Sequence, residues 1–64
     1  MSQDVVLAYI KQEKHILQST LRKRLEKDGY NTSGLAAEVF ALRKKKEIGR
    51  IAALKEQSWW LFPF

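Results

Sequence analysis

The feature that most constrains the fold is a change of pattern along residues 42–64, which read LRKKKEIGRIAALKEQSWWLFPF. The helical spacing of apolar side chains stops at four consecutive cations, residues 43–46, and a glycine and two short apolar runs follow. Those runs, residues 50–54 and 58–62, are the best strand candidates in the chain. A helix followed by a C-terminal β-hairpin is therefore predicted, which indicates an α+β fold.

Length and composition narrow the class of protein. Sixty-four residues predict one domain, residues 1–64, in which only about 60% of the unfolded surface is buried. The absence of cysteine excludes disulfides, thiolate catalysis and cysteine-based zinc sites. Twelve Lys and Arg against seven Asp and Glu give a net charge of +5. This excess favours a polyanionic partner, with nucleic acid ahead of an acidic membrane.

Two amphipathic helices are predicted in the first half of the chain. Ser2 is a candidate cap for a helix over residues 3–13, because its hydroxyl can accept from a free backbone N–H of the first turn. A short extended link is expected over residues 14–17. The second helix follows, and Gly29 supplies its C-terminal stop.

A third helix is predicted from the spacing of Leu35, Val39 and Leu42, with Thr32 or Ser33 as its N-cap. The apolar stripe fails after Leu42, where the next stripe positions are lysines. The buried face is therefore expected to end near Leu42, and the helix about a turn later.

This order of elements resembles the winged helix-turn-helix domains of small bacterial and phage regulators. ILQSTLRKRL is similar to the short strand that leads into the first helix of the helix-turn-helix, and VFALRKKKEIGRI is similar to a recognition helix that runs into the first wing strand. The resemblance implies three helices and a C-terminal two-stranded β-hairpin. It also implies double-stranded DNA as partner, with the third helix in the major groove and the wing on the backbone, and a role in transcription regulation.

The hairpin turn leaves a second fold open. Residues 54–58 contain no Gly, Asn, Asp or Pro, so a turn longer than two residues is expected there. Residues 52–56 are good helix formers, and one interior glycine costs a helix only about 1 kcal/mol. The alternative is an all-α array of three or four helices with an aromatic tail.

Candidate DNA contacts come from three places: the second helix, the third helix with its N-terminal approach, and the wing. Cations suit phosphates, while hydroxyls and a carboxylate can read base edges. The cations of residues 43–46 span just over one helical turn, so they cannot all face one phosphate ridge, and the helix dipole alone favours cations there. The candidates are Arg22, Thr32, Ser33, Glu38, Arg43, Lys44, Lys46, Arg50 and Lys55.

The aromatic end supports a second function. Along the last strand Trp59 and Leu61 share one face and Trp60 and Phe62 the other. One of the tryptophans, with Phe62, is predicted to close the core. In the alternative interpretation, large apolar groups stay exposed on one face of this strand, and they predict a protein interface formed by Trp60, Leu61, Phe62 and Phe64. A homodimer or a larger protein partner would dock there, which makes the chain an interaction module.

No catalytic pattern is present in the sequence. His15 is the only histidine and has no sequence-level partner for a triad or a metal site. Phosphate-binding glycine loops, HExxH and nucleophile-elbow motifs are absent. We expect no enzyme activity, no cofactor, no metal and no small-molecule substrate. The first residues, MSQD, carry no leader pattern, and no apolar run reaches the length of about 20 residues that spans a bilayer. We therefore expect a protein of the cytoplasm, associated with the nucleoid if bacterial, that does not bind membranes.

Overall fold

A computed structural model describes residues 2–64, which contain three helices and three strands. The α+β class is confirmed. The all-α alternative is wrong, because residues 50–53 lie in a strand and residues 54–57 in a hairpin loop. In chain order the elements are α1 (Gln3–Glu13), β1 (Ile16–Leu17), α2 (Gln18–Lys27), α3 (Leu35–Lys44), β2 (Ile48–Ala53) and β3 (Ser58–Pro63).

The ends of α1 and α2 follow local signals. The Ser2 hydroxyl accepts from the Val5 N–H at 3.4 Å, and α1 has the predicted bounds. After α2, Gly29 takes the left-handed conformation with φ 93°. The Gly29 and Tyr30 N–H groups then donate to the last carbonyls of the helix, which closes its C-terminus.

The two ends of α3 differ in how they are closed. Gly34 is the N-cap residue and no side chain caps this end, so the prediction of a Thr32 or Ser33 cap is wrong. At the other end Lys46 takes the left-handed conformation, with φ 62°. The Lys46 N–H donates to the Arg43 carbonyl at 3.0 Å, and the next N–H reaches back one residue further. A lysine thus occupies a position usually held by glycine.

The sheet has three strands rather than the two predicted. Strand β3 is central, and both neighbours run antiparallel to it in the order β1-β3-β2. Strand β1 joins by pairing Ile16 with Leu61 and Leu17 with Trp60. The link before α2 is therefore a strand of the sheet as well as a connection.

The hairpin between β2 and β3 closes through a four-residue loop, residues 54–57. Ala53 pairs with Ser58 at its base, and Gln57 takes φ 50°. The Glu56 N–H donates to the Ala53 carbonyl at 3.0 Å. The expected longer turn is confirmed. Gln57 takes the left-handed conformation that glycine usually takes in such turns, because this loop contains no glycine.

The core lies between the helices and one face of the sheet. Leu61 is fully buried there, whereas Trp59 and Trp60 are 37% and 36% exposed and Phe62 is half-buried. The prediction that a tryptophan with Phe62 closes the core is thus wrong, as is the placement of Leu61 at an outer interface. Leu61 closes the core because the helices pack on its side of β3. The core cluster consists of Val6, Ile10, Ile16, Leu21, Leu25, Leu35, Val39, Leu42, Ile48 and Leu61.

Candidate nucleic-acid interface

An open cleft of about 460 Å³ lies where the C-terminal half of α3 meets β2. Four of the side chains that line it are cationic, two are aromatic, and none of these described residues is acidic. We call it the cationic cleft. It is lined by Phe40, Arg43, Lys44, Lys46, Ile48, Gly49, Arg50 and Phe64.

The α3 side of the cationic cleft is a cluster around Phe40. Arg43 and Lys44 lie three and four residues further along the helix, so all three side chains share one side of it. The Arg43 Cζ is 5.8 Å and the Lys44 Nζ 5.6 Å from the centre of the Phe40 ring. At these distances the ring attracts both cations. Phe40 itself is 53% exposed.

The β2 side of the cleft contributes Arg50, whose guanidinium is stacked on a tryptophan. The Arg50 Cζ lies 3.8 Å from the ring centre of Trp59. Arg50 pairs with the buried Leu61, so Arg50 and Trp59 belong to the face of the sheet that carries the core and lie at the exposed margin of that face. The contact with the indole restricts the guanidinium, which lowers the entropy lost when a ligand binds it.

Lys45 is the one cation of residues 43–46 that leaves the cleft. Its Nζ donates to Gln3 Oε1 at 2.8 Å and so connects α3 to α1. Of the four cations of residues 43–46, three therefore line the cleft and Lys45 does not, as expected for a run that spans just over one helical turn.

The cations of the cleft carry no acidic partner. Across residues 2–64, Arg24 and Glu13 form the one ion pair within salt-bridge distance, and Arg24 lies on α2. The charges at the cleft are thus available to an external anion. Because they are exposed, their attraction for such an anion falls as salt concentration rises.

Gly49 leaves room for two phenylalanine rings beside the cleft. Gly49 pairs with Phe62 across the hairpin, and a Cβ at position 49 would lie 2.6 Å from the Phe62 ring and 3.1 Å from the Phe64 ring. The two rings meet edge to face at 5.9 Å. Phe64 is held in place by its backbone N–H, which donates to the Glu47 carbonyl at 3.2 Å.

Arg22 and Thr32, two predicted DNA contacts, lie in an internal hydrogen-bond network instead. Arg22 Nη1 donates to the Thr32 carbonyl at 2.9 Å and to its hydroxyl at 3.1 Å. The Thr32 hydroxyl donates to Glu26 at 2.9 Å, and Thr32 is only 5% exposed. This network fixes the loop between α2 and α3. The prediction of Thr32 as a surface contact is wrong, since the residue is buried and its hydroxyl and carbonyl already have partners.

Three further candidates lie outside the cleft. Ser33 is exposed, and its N–H donates to Asn31 Oδ1 at 3.0 Å, which makes Asn31 a turn residue. Glu38 is half-buried in the first turn of α3, and Lys55 is exposed in the hairpin loop. Phe40 also lines the cleft without having been predicted there, although its spacing from Arg43 and Lys44 in the sequence indicates a shared side of α3.

The outer face of the sheet carries an aromatic patch that meets the cationic cleft at Phe64. Trp60 pairs across the hairpin with Ile51, which is 62% exposed. The rings of His15 and Trp60 are 5.3 Å apart. Phe62 continues this face towards the exposed Phe64. The predicted protein interface therefore keeps its aromatic members and loses Leu61.

A polar contact far from the cleft joins α1 to the end of α2. The Tyr9 hydroxyl donates to the Asp28 carboxylate, and the Tyr9 and Tyr30 rings meet edge to face at 6.2 Å. The hydrogen bond to the Asp28 carboxylate raises the pKa of Tyr9 from 10.0 to about 12. The contact stabilises the helix pair and takes no part in the cleft.

Residues 2–64 offer no group of three or more His, Asp or Glu side chains arranged to hold a metal ion. The longest helix described, α1, has 11 residues, and none of the described helices is both long and apolar enough to cross a membrane. Comparisons with protein-family models, with curated proteins and with solved structures found no match to this chain. The cationic cleft and the aromatic patch are thus the features that a functional hypothesis has to explain.

Proposed function

We propose that this protein is a small winged helix-turn-helix regulator that binds double-stranded DNA, in the cytoplasm or at a bacterial nucleoid. The order of elements supports the proposal. A short strand, β1, leads into α2, and a hairpin follows α3, as the resemblance implied. In this arrangement α3 is the recognition helix and the loop of residues 54–57 is the tip of the wing.

The observation that carries the proposal is the cationic cleft. Arg43, Lys44 and Lys46 at the end of the recognition helix face Arg50 at the start of the wing, with no acidic residue among the lining side chains. Such a pair of basic edges suits the phosphates that flank a groove. Lys55, in the loop at the tip of the wing, is exposed and would extend the basic surface along the DNA backbone.

Base reading in this arrangement is modest, and phosphate contacts supply most of the affinity. Ala36 and Ala37 occupy exposed positions in the first turns of α3 and offer no hydrogen bonds. Ser33 and Glu38 are the polar groups nearest to them, and Arg43 is the candidate for a guanine contact. A single module of this size binds weakly, so a homodimer or a larger partner protein would raise the affinity.

Fluorescence anisotropy with a labelled duplex over a series of salt concentrations tests the proposal. The logarithm of the affinity should fall with the logarithm of salt at a slope of about −0.9 per phosphate contacted. Arg43→Ala and Arg50→Ala should each weaken binding and make the slope shallower by about 0.9. Lys11→Ala is the matched control, since Lys11 is an exposed cation at the other end of α1 from Gln3.

The control decides the outcome of this experiment. Equal losses in the Lys11, Arg43 and Arg50 variants would mean that only net charge attracts the duplex, and the proposed interface would be wrong. The same conclusion holds if affinity is insensitive to salt.

A second candidate function is protein–protein interaction through the outer face of the sheet. The exposed Trp60 and Ile51, side by side with the half-buried Phe62, favour it. Sedimentation analysis should then show a dimer that Trp60→Ala dissociates without unfolding the chain, which leaves the weaker duplex affinity of a single module. A protein that stays monomeric at all concentrations would remove the homodimer from this candidate function.

A further inference from the structure

The cationic cleft has a property that phosphate binding alone does not require. Phe40 is 53% exposed and Phe64 is 78% exposed, and both line the cleft among its cations. Exposed rings gain nothing from a phosphate group, which prefers the charged side chains. They gain from a flat apolar surface placed against them.

We propose that the cationic cleft binds a nucleotide unit whose base is unpaired. The base lies against Phe40, and the phosphate contacts Arg43, Lys46 or Arg50. This inference goes beyond duplex binding, because a base inside an intact duplex is stacked on its neighbours and cannot reach a ring in the cleft. It stands on the cleft alone and does not require the proposed function.

The size and charge of the cleft fit such a ligand. A volume of about 460 Å³ falls within the range of about 300–1,000 Å³ that is usual for small-ligand sites. Base stacking on an aromatic ring tolerates every base, because each base has a flat face. Backbone phosphates in a basic groove and bases on aromatic rings are together the way proteins hold single strands without sequence preference.

The end of α3 is prepared for an anion in spite of the helix dipole. Carbonyl groups at a helix C-terminus ordinarily repel a phosphate. Here the carbonyls of Leu42 and Arg43 accept from the N–H groups of Glu47 and Lys46, both at 3.0 Å. The fixed position of Arg50 on Trp59 adds a cation that needs little ordering.

A comparison of two oligonucleotides with the same phosphates isolates the contribution of the base. A labelled thymidine pentanucleotide and an abasic pentamer of equal charge are titrated with the full chain by anisotropy. Stacking is worth about 1–3 kcal/mol per base, so the pentanucleotide should bind about 5–150-fold more tightly. Equal affinities would overturn the proposal, because charge alone would explain binding.

Variants locate the base in the cleft. Phe40→Ala should remove most of this ratio, because it weakens the pentanucleotide far more than the abasic pentamer, and Arg43→Ala should weaken both ligands alike. Phe40→Leu keeps an apolar side chain without a ring, so it gives the same answer if the alanine variant is unstable. Trp60→Ala is the control for stacking on the outer sheet face. If Phe40→Ala leaves the ratio intact, the cleft is the wrong site, and a loss of the ratio in Trp60→Ala would then place the base on the outer face of the sheet.

Competition identifies the source of the nucleotide. Thymidine monophosphate is added as a competitor of the labelled pentanucleotide. If it displaces the pentanucleotide at a similar concentration, counted per nucleotide, the ligand is a free nucleotide. If it competes far more weakly, the ligand is a single strand. Both results keep the proposal. A ratio near one together with salt-dependent duplex binding overturns this inference alone. A high ratio without duplex binding overturns the proposed function alone.

Discussion

Replacing Lys46 with glycine should stabilise the protein and weaken DNA binding at the same time. Lys46 holds φ 62° at the end of α3, and the left-handed conformation costs a residue with a side chain about 1–2 kcal/mol. Glycine avoids that cost but loses about 0.5–1 kcal/mol more backbone entropy on folding. The net gain in the free energy of unfolding is about 0–1.5 kcal/mol, and its middle value of about 0.75 kcal/mol corresponds to about 3–6 °C in Tm for a domain of this size.

The same substitution removes a cation from the cationic cleft. If Lys46 contacts a phosphate, the Kd for a duplex rises and the salt slope becomes shallower by about 0.9. Thermal unfolding followed by circular dichroism measures the first effect, and anisotropy measures the second. A variant that is more stable yet binds less well cannot have lost affinity through damage to the fold.

Two matched variants separate strain from charge. Lys46→Ala removes the charge and keeps a side chain in the left-handed position, so affinity should fall with no gain in Tm. Gln57→Gly relieves the left-handed residue of the hairpin loop, φ 50°, without a change of charge, so Tm should rise with no change in Kd. A lower Tm for Lys46→Gly than for the unmodified protein would refute the reasoning about strain, and an unchanged Kd would refute the phosphate contact.

Three further predictions concern the core, the hairpin and pH. Leu61→Ala should lower the free energy of unfolding in urea by about 2–5 kcal/mol, because Leu61 is fully buried, and a loss below 1 kcal/mol would contradict its place in the core. Gly49→Ala should lower Tm, since its Cβ would push the facing aromatic rings aside, and an unchanged Tm would contradict that contact. In Tyr30→Phe, the tyrosinate absorbance of Tyr9 should titrate near pH 12, and Asp28→Asn should move it towards 10.0. Because the folded pKa is the higher one, the contact stabilises fully below pH 10 and is lost as pH rises to 12, so a midpoint that Asp28→Asn leaves unchanged would contradict it.

Helix ends in this protein could be predicted from the sequence where the signal acts within one turn. Ser2 caps α1 through a backbone group three residues away, and Gly29 turns the chain after α2. Both signals depend only on neighbours along the chain. The cap of α3 could not be found in this way, because Thr32 was a suitable cap by type but uses its hydroxyl to hold Arg22 and Glu26.

Contacts between distant segments could not be predicted from the same patterns. The alternation of β3 separates Leu61 from Trp60, but it does not say which face the helices cover. The helices cover the face on which Ile16, Ile48 and Leu61 meet. Trp59 stays at the margin of this face, and Trp60 lies on the outer face of the sheet. Strand β1 has only two residues, which is too short for a periodic signal.

The candidate site was predicted in part. The sequence indicated Arg43, Lys44, Lys46 and Arg50, and the structure brings these four to one cleft; their contact with DNA stays a prediction. Phe40 was not among the predicted site residues, because in the sequence it stands beside the apolar stripe of α3. Its role at the mouth of the cleft depends on β2, which approaches from a distant part of the sequence.

The pairing of β1 with β3 has a consequence for how this chain folds. Ile16 lies early in the sequence and pairs with Leu61 in the last strand, and β3 packs against both α1 and α2. A loop that encloses most of the chain must close before this sheet exists, which slows folding. Until β3 arrives, the apolar faces of α1 and α2 lack part of the surface that they bury against. The smallest unit that folds therefore runs from α1 through β3.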